Sequence, residues 1–123
     1  MSIHTRSQKL AQAAYKQIAL HTDNGQRKPN KEYVSFAKRF PALIHTCGLA
    51  QAVAFALAKK ENDYLNDLAA VLKASGHAAI SDAAALDQQG RTQQLSGYLR
   101  LSRDAINAAS WLKRYVEAAG EDD

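Results

Sequence analysis

Residues 39–60 read RFPALIHTCGLAQAVAFALAKK, and the nineteen positions from Phe40 to Ala58 hold no Lys, Arg, Asp or Glu. Cations stand at both ends: Lys38 and Arg39 before the stretch, Lys59 and Lys60 after it. The length approaches that of a membrane span. However, much of the run is alanine, and Pro41, His45, Thr46, Gly48 and Gln51 are groups that a lone span tolerates poorly, with no second apolar span to shield them. The stretch therefore reads as part of a helical bundle. On one continuous helix Leu43, Cys47, Ala50, Ala54 and Leu57 share a face. Ala42, Leu49, Val53 and Ala56 form a second, and Ile44, Phe55 and Ala58 a third. A helix that is apolar nearly all round is buried on several sides, and its alanines admit close neighbours. The expectation is a buried, Ala-rich central helix.

Outward from this stretch the chain favours helix throughout, because Ala, Leu, Gln and Lys abound and alternating β-branched runs are missing. The patterning predicts an all-α, single-domain bundle (residues 1–123) of about six helices. The first covers about Ser2 to Leu20, with Ile3, Leu10, Ala14 and Ile18 inward. TDNGQRKPN at 22–30 follows as a loop with an Asn-Gly turn and Asn30 as N-cap. A second helix, about Lys31 to Phe40, should stop at Pro41, since proline removes a backbone donor. The third is the uncharged stretch. A fourth spans about Asn62 to Ala74, with Leu65, Leu68, Val71 and Leu72 inward. A short fifth, near Ser81 to Gln88, should break by Gly90. A long C-terminal helix runs from about Thr92 to Ala118, with Leu95, Leu99, Ile106, Ala109, Leu112 and Val116 as its apolar stripe.

The chain has 123 residues, enough for one core without metals or disulfides, and a single cysteine, Cys47, which cannot form an internal disulfide. The N-terminus lacks the apolar core of a signal peptide, and a cytoplasmic location is expected. His45 and Cys47 are two apart and point in different directions on a helix. His4, His21 and His77 fall near predicted ends or loops, without metal-ligand spacing. Asp63 and Asp67 share a face, as acids in the first turns of a solvated helix do. No phosphate loop or nucleophile elbow is present. No catalytic residue, metal or cofactor is expected.

The positive signal is charge. The net charge of +4 is segregated, with basic segments at 27–60 and 91–116 separated by an acidic one at 61–90. On the last helix Arg100, Arg103, Asn107, Ser110 and Arg114 recur at three and four, opposite the apolar stripe. Lys31, Ser35 and Lys38, with Arg39 beside them, repeat the pattern on the second helix. Such stripes suit phosphates and confer affinity without sequence information. The candidate nucleic-acid-binding residues are Lys16, Lys31, Lys38, Arg39, Arg100, Arg103, Lys113 and Arg114. Trp111, spaced with Ala108 and Tyr115, is assigned to the core or bundle edge.

Two segments, YVSFAKRFPALIHTCGLAQAVAFALAKK (33–60) and YLRLSRDAINAASWLKRYVEA (98–118), resemble the small helical subunit of the Cmr complex, the type III-B CRISPR RNA-targeting effector. The resemblance implies a non-catalytic subunit that stacks in several copies beside the guide-bearing subunits and lines the groove for guide and target RNA. It further implies partners among other Cmr subunits and further copies of the chain itself; the residues argue against a membrane, and the oligomeric state of the isolated chain, a monomer being one option, stays open. The rival reading is a helical adaptor that binds only protein.

Overall fold

A computed structural model describes residues 5–21 and 31–120, among which there are six helices and no strand. They are α1 (Arg6–His21), α2 (Lys31–Cys47), α3 (Leu49–Ala58), α4 (Asn62–Ala74), α5 (Ala83–Thr92) and α6 (Leu95–Gly120). The start of the first helix before residue 5 and the loop at 22–30, with its Asn-Gly turn and Asn30 cap, lie outside the described residues. The all-α single domain and the long last helix are as the patterning predicts. α4 has the bounds read from the sequence, with Leu65, Leu68, Val71 and Leu72 fully buried.

The break in the middle of the chain is at Gly48, not Pro41. α2 continues through the proline, because Tyr33, Phe36, Ala37, Phe40 and Ile44 form one uninterrupted buried face on both sides of it. Burying such side chains at roughly 1.5–3 kcal/mol each outweighs the ~3 kcal/mol cost of an internal proline. Gly48 has φ 86° and ψ 158°, a conformation essentially restricted to glycine. There its N–H donates to the Ile44 carbonyl at 2.8 Å, ending α2, while its carbonyl accepts from Ala52 N–H at 3.0 Å, starting α3. The Tyr98 hydroxyl, from α6, accepts the Ala50 N–H at 3.1 Å and so caps α3 from outside.

The uncharged stretch is consequently a bent pair of helices, not one rod, and the expectation of burial all round is corrected. In α3 Leu49, Ala52, Val53 and Ala56 are buried, whereas Gln51, Ala54 and Ala58 are exposed and Phe55 is 40% exposed. Ala42 and Cys47 are also exposed. The central strut is α6, about 39 Å long at 1.5 Å per residue. It packs against α1 and α2, and also against α4 and α5. Its buried face is Leu101, Ala105, Ala108, Ala109, Leu112 and Val116, where small residues let the neighbours approach. The predicted stripe is corrected at its start. Leu95 and Leu99 are 72% and 58% exposed, because they share a face with Ile106 rather than with Leu112.

α5 also runs through its predicted breaker: Gly90 is buried where α5 packs on α3, and a Cβ there would lie 3.8 Å from the Ala50 Cα, an ordinary contact distance. Asp82 caps α5 by accepting from Ala85 N–H at 2.8 Å, and Asn66 of α4 accepts from Ala83 N–H at the same distance. Two tight turns close α3 and α4 in the same way. Glu61 N–H donates to Ala56 and Lys60 N–H to Leu57; likewise His77 N–H donates to Leu72 and Gly76 N–H to Lys73. The left-handed position is Gly76 in one turn but Lys60 (φ 62°) in the other.

Candidate nucleic-acid interface

The cations singled out by the sequence emerge from helix faces opposite the buried ones. On α6 Arg100, Arg103, Asn107 and Arg114 are exposed and Ser110 is half-buried, along a strip facing away from Leu101, Ala105 and Leu112. Lys113 is half-buried and lies off that strip. On α2 Lys31, Ser35 and Arg39 are exposed and Lys38 is half-buried. Lys16 is exposed on α1. Two further arginines are held by acids: Arg6 by Asp104 and Arg91 by Asp87.

Folding back at Gly48 brings the two basic ends of the uncharged stretch together. Lys31, Ser35 and Arg39 of α2 and Lys59, just past α3, line a surface pocket of about 370 Å³, with Glu32 and Glu61 on the same rim. Burial raises the pKa of the Glu61 carboxyl, Glu32 adds to the rise and Arg39 opposes it. This pocket adjoins an apolar groove of about 290 Å³ walled by Phe36, Phe40, Leu43 and Phe55, with Arg39 and Thr46 as its polar members. The Arg39 guanidinium lies 5.8 Å from the Phe36 ring centre and the Lys59 ammonium 5.6 Å from that of Phe55. The Phe36 and Phe55 rings are nearly parallel, 11° apart with centres at 6.4 Å. Lys59 and Phe55 are not among the candidate nucleic-acid-binding residues read from the sequence. The basic ends are a visible signal, but their meeting depends on a reversal at Gly48, whereas sequence reasoning places only a helix break, at Pro41.

The other candidate chemistry stays dispersed. His45 and Cys47 are exposed in the last turn of α2. Asp67 accepts a hydrogen bond from the Tyr33 hydroxyl, whose pKa is raised far above the usual tyrosine range, first by burial and then by the adjacent carboxylate. Asp63 lines a shallow pocket with Gln17, Leu20, Asn66 and Asp67. Among the described residues no group of three or more His, Cys, Asp or Glu could hold a metal, and no helix is long and apolar enough to cross a membrane. Trp111 is half-buried against the core and stacks on Tyr115 with ring centres 5.8 Å apart, at the bundle edge as expected. One cluster escapes the sequence altogether. Asp104, buried in α6, accepts from Arg6 Nη1 at 3.0 Å and from His77 Nε2 at 2.7 Å, tying α1 and the turn after α4 to the last helix.

The comparisons with known proteins agree with this architecture. The chain is 33% identical over 123 residues to the CRISPR system Cmr subunit Cmr5 of Thermus thermophilus, covering 98% of this chain and all of that protein. A crystal structure of a CRISPR-associated Cmr5 family protein from the same organism superposes with a TM-score of 0.80 at 36% identity, covering 94% of this chain and 97% of that one. The family model for the CRISPR-associated protein Cas_Cmr5 matches residues 6–119, so the chain belongs to the Cmr5 family, the small helical subunits of the Cmr complex.

Proposed function

We propose that the chain is a non-catalytic small subunit of a type III-B CRISPR ribonucleoprotein. In this reading it stacks in several copies beside other Cmr subunits and lines the guide and target RNA groove through its basic faces, without reading sequence. The observation that carries the reading is the pair of cation stripes on α2 and α6, exposed at Lys31, Arg39, Arg100, Arg103 and Arg114, each opposite the face its helix buries. Cations so placed are available to phosphates without disturbing the core, and phosphate contacts position a strand without specifying bases. One small domain offers few such contacts, so binding gains strength when adjacent copies add theirs along one strand. Exposed Leu95 and Leu99, one turn apart near the start of α6, supply an apolar patch suited to protein contact within the assembly.

The test is a salt titration of target-RNA capture by complexes reconstituted with variants. Arg100, Arg103 and Arg114 changed together to Ala, or Lys38 and Arg39 together, should weaken capture similarly for unrelated sequences. For the triple variant the log–log salt slope should fall by about 2 if each arginine meets one phosphate of a single strand. Fold and co-purification should persist, since these side chains lie outside the buried faces. Affinity and slope unchanged in both variants would sink the RNA-groove reading in favour of an adaptor that contacts only protein.

A further inference from the structure

We infer that the groove between α2 and α3 is a stacking pocket for one base of single-stranded RNA, with Phe55 as the platform and Arg39 and Lys59 as the phosphate contacts on either side. The inference rests on the RNA-binding reading above and extends the α2 stripe, which supplies Arg39, by a platform, Phe55, and a cation, Lys59, that the stripes do not contain. Phe55 is a large apolar side chain left 40% exposed in a helix that buries Leu49 and Val53 and half-buries Leu57. It is held from one side by Phe36, itself anchored in the core. A ring fixed in this way loses little freedom on binding, which is what a stacking platform requires. The groove of about 290 Å³ is larger than one nucleobase and is apolar where a base is apolar, along Phe40 and Leu43.

The charges select the occupant. An apolar side chain of a protein would need only the groove, but here both aromatic walls carry a cation, Arg39 over Phe36 and Lys59 over Phe55. The adjoining pocket adds Lys31 and the Ser35 hydroxyl. Glu32 and Glu61 reduce this field without reversing it. An exposed aromatic flanked by cations matches single-strand recognition, in which bases stack on rings while the backbone follows positive charge; every base has a π-face, so the contact is sequence-tolerant. In the free protein the Lys59 ammonium lies over the Phe55 ring. A base displaces it, and the flexible lysine, tethered four residues on, then meets the phosphate of the nucleotide that displaced it.

The experiment uses the full chain at low salt, titrated with a single-stranded oligoadenylate and with an abasic ribose-phosphate oligomer of the same length, by NMR or anisotropy. Phe55→Ala should weaken oligoadenylate binding about tenfold, within the range for losing one stacked base, and leave the abasic oligomer unaffected. Arg39→Ala with Lys59→Ala should weaken both. Phe55→Trp, made together with Trp111→Phe, should retain oligoadenylate affinity, with the emission of the single introduced indole changing on binding; this variant decides the matter should Phe55→Ala fold poorly. The inference is overturned if Phe55→Ala affects both oligomers equally or neither, or if RNA leaves the Phe55→Trp emission unchanged. It is also overturned if Phe55→Ala detaches the chain from its complex while RNA affinity stays intact, which assigns the groove to a protein. Loss of capture in the stripe variants with no base-dependent effect at Phe55 would remove this site alone. A base-dependent effect at Phe55 with unaltered capture by the Arg100, Arg103 and Arg114 variant would instead remove the α6 stripe.

Discussion

Removing both partners of Asp104 should destabilise the domain more than removing Asp104 itself. The carboxylate is completely buried, and both contacts converge on Oδ2, leaving Oδ1 without a hydrogen-bond partner. Arg6 is 46% exposed, so water screens its side of the pair and Arg6→Ala should cost about 1 kcal/mol, the upper end for an exposed bridge. His77 is only 17% exposed and donates the shorter bond, so His77→Ala should cost about 2 kcal/mol, in the range for hydrogen bonds to charged groups. The double variant strands an uncompensated carboxylate in the core, so it should lie in the upper part of the ~3–5 kcal/mol range for such charges, above the ~3 kcal/mol sum of the two single losses. Asp104→Leu removes the buried charge and the orphaned oxygen at once, and releases two side chains that both reach solvent. It should fall within about 1 kcal/mol of wild type, as replacements of buried ionic groups by apolar ones often do. Urea unfolding followed by circular dichroism measures all four, with a constant m-value as the check that one two-state transition is compared. The reasoning fails if Asp104→Leu costs as much as the double variant, or if the double variant costs no more than the sum of the singles.

Three further outcomes are expected. Tyr64→Phe should raise stability by about 1 kcal/mol, or roughly 4 °C in Tm, because the buried Tyr64 hydroxyl has no hydrogen-bond partner; a fall in Tm would refute this. Gly48→Ala should cost about 1–3 kcal/mol through backbone strain at φ 86°, since the added Cβ meets only the Tyr98 hydroxyl at 3.5 Å; a neutral effect in chemical denaturation would show that the turn relaxes. Alkali should destabilise the fold above about pH 10, where unfolded tyrosines ionise but Tyr33, its pKa raised by burial and by Asp67, stays neutral in the native state. The stability it contributes is thus whole below pH 10 and lost as pH rises, with a slope of up to ~1.4 kcal/mol per pH unit per group. Tyr33→Phe should flatten that slope when unfolding free energy is measured from pH 9 to 11.5, and an unchanged slope would contradict the assignment.

Features that depend on neighbours along one helix are legible in the sequence. α4 carries Leu65, Leu68, Val71 and Leu72 at helical spacing, so its face and bounds follow from periodicity alone. The exposed strip of Arg100, Arg103 and Arg114 is legible for the same reason. Where tertiary packing competes with a local rule, packing decides. Pro41 and Gly90 both read as breakers, yet each sits inside a helix, because Phe40 and Ile44 bury on either side of the first and α3 presses against the second. Leu95 and Leu99 belong to the core stripe on hydrophobicity, but the helix turns them to a flank. The Asp104–His77 contact spans 27 residues and leaves no periodic trace, so no single-helix argument could find it.

The basic ends of the uncharged stretch show how one wrong boundary hides a site. On a single rod, Arg39 and Lys59 would stand about 30 Å apart at 1.5 Å per residue and would serve separate contacts. Reversed at Gly48, they line the same pocket. Burial does not account for the missing charges, since Ala42, His45, Thr46, Cys47, Gln51, Ala54, Phe55 and Ala58 are exposed, but the cations stand at the two places where the stretch ends. In a hairpin those two places lie side by side. The clustering of charge thus follows from the fold-back rather than from any local motif, and the exposed ring of Phe55 lies in the groove that the same fold-back opens. Gly48 carries no charge and is remote in sequence from Arg39 and Lys59, yet its backbone conformation holds both sides of the pocket in register. A substitution there should therefore disturb the groove as well as the stability of the bundle, whereas substitutions at Arg39 or Lys59 alter the groove alone.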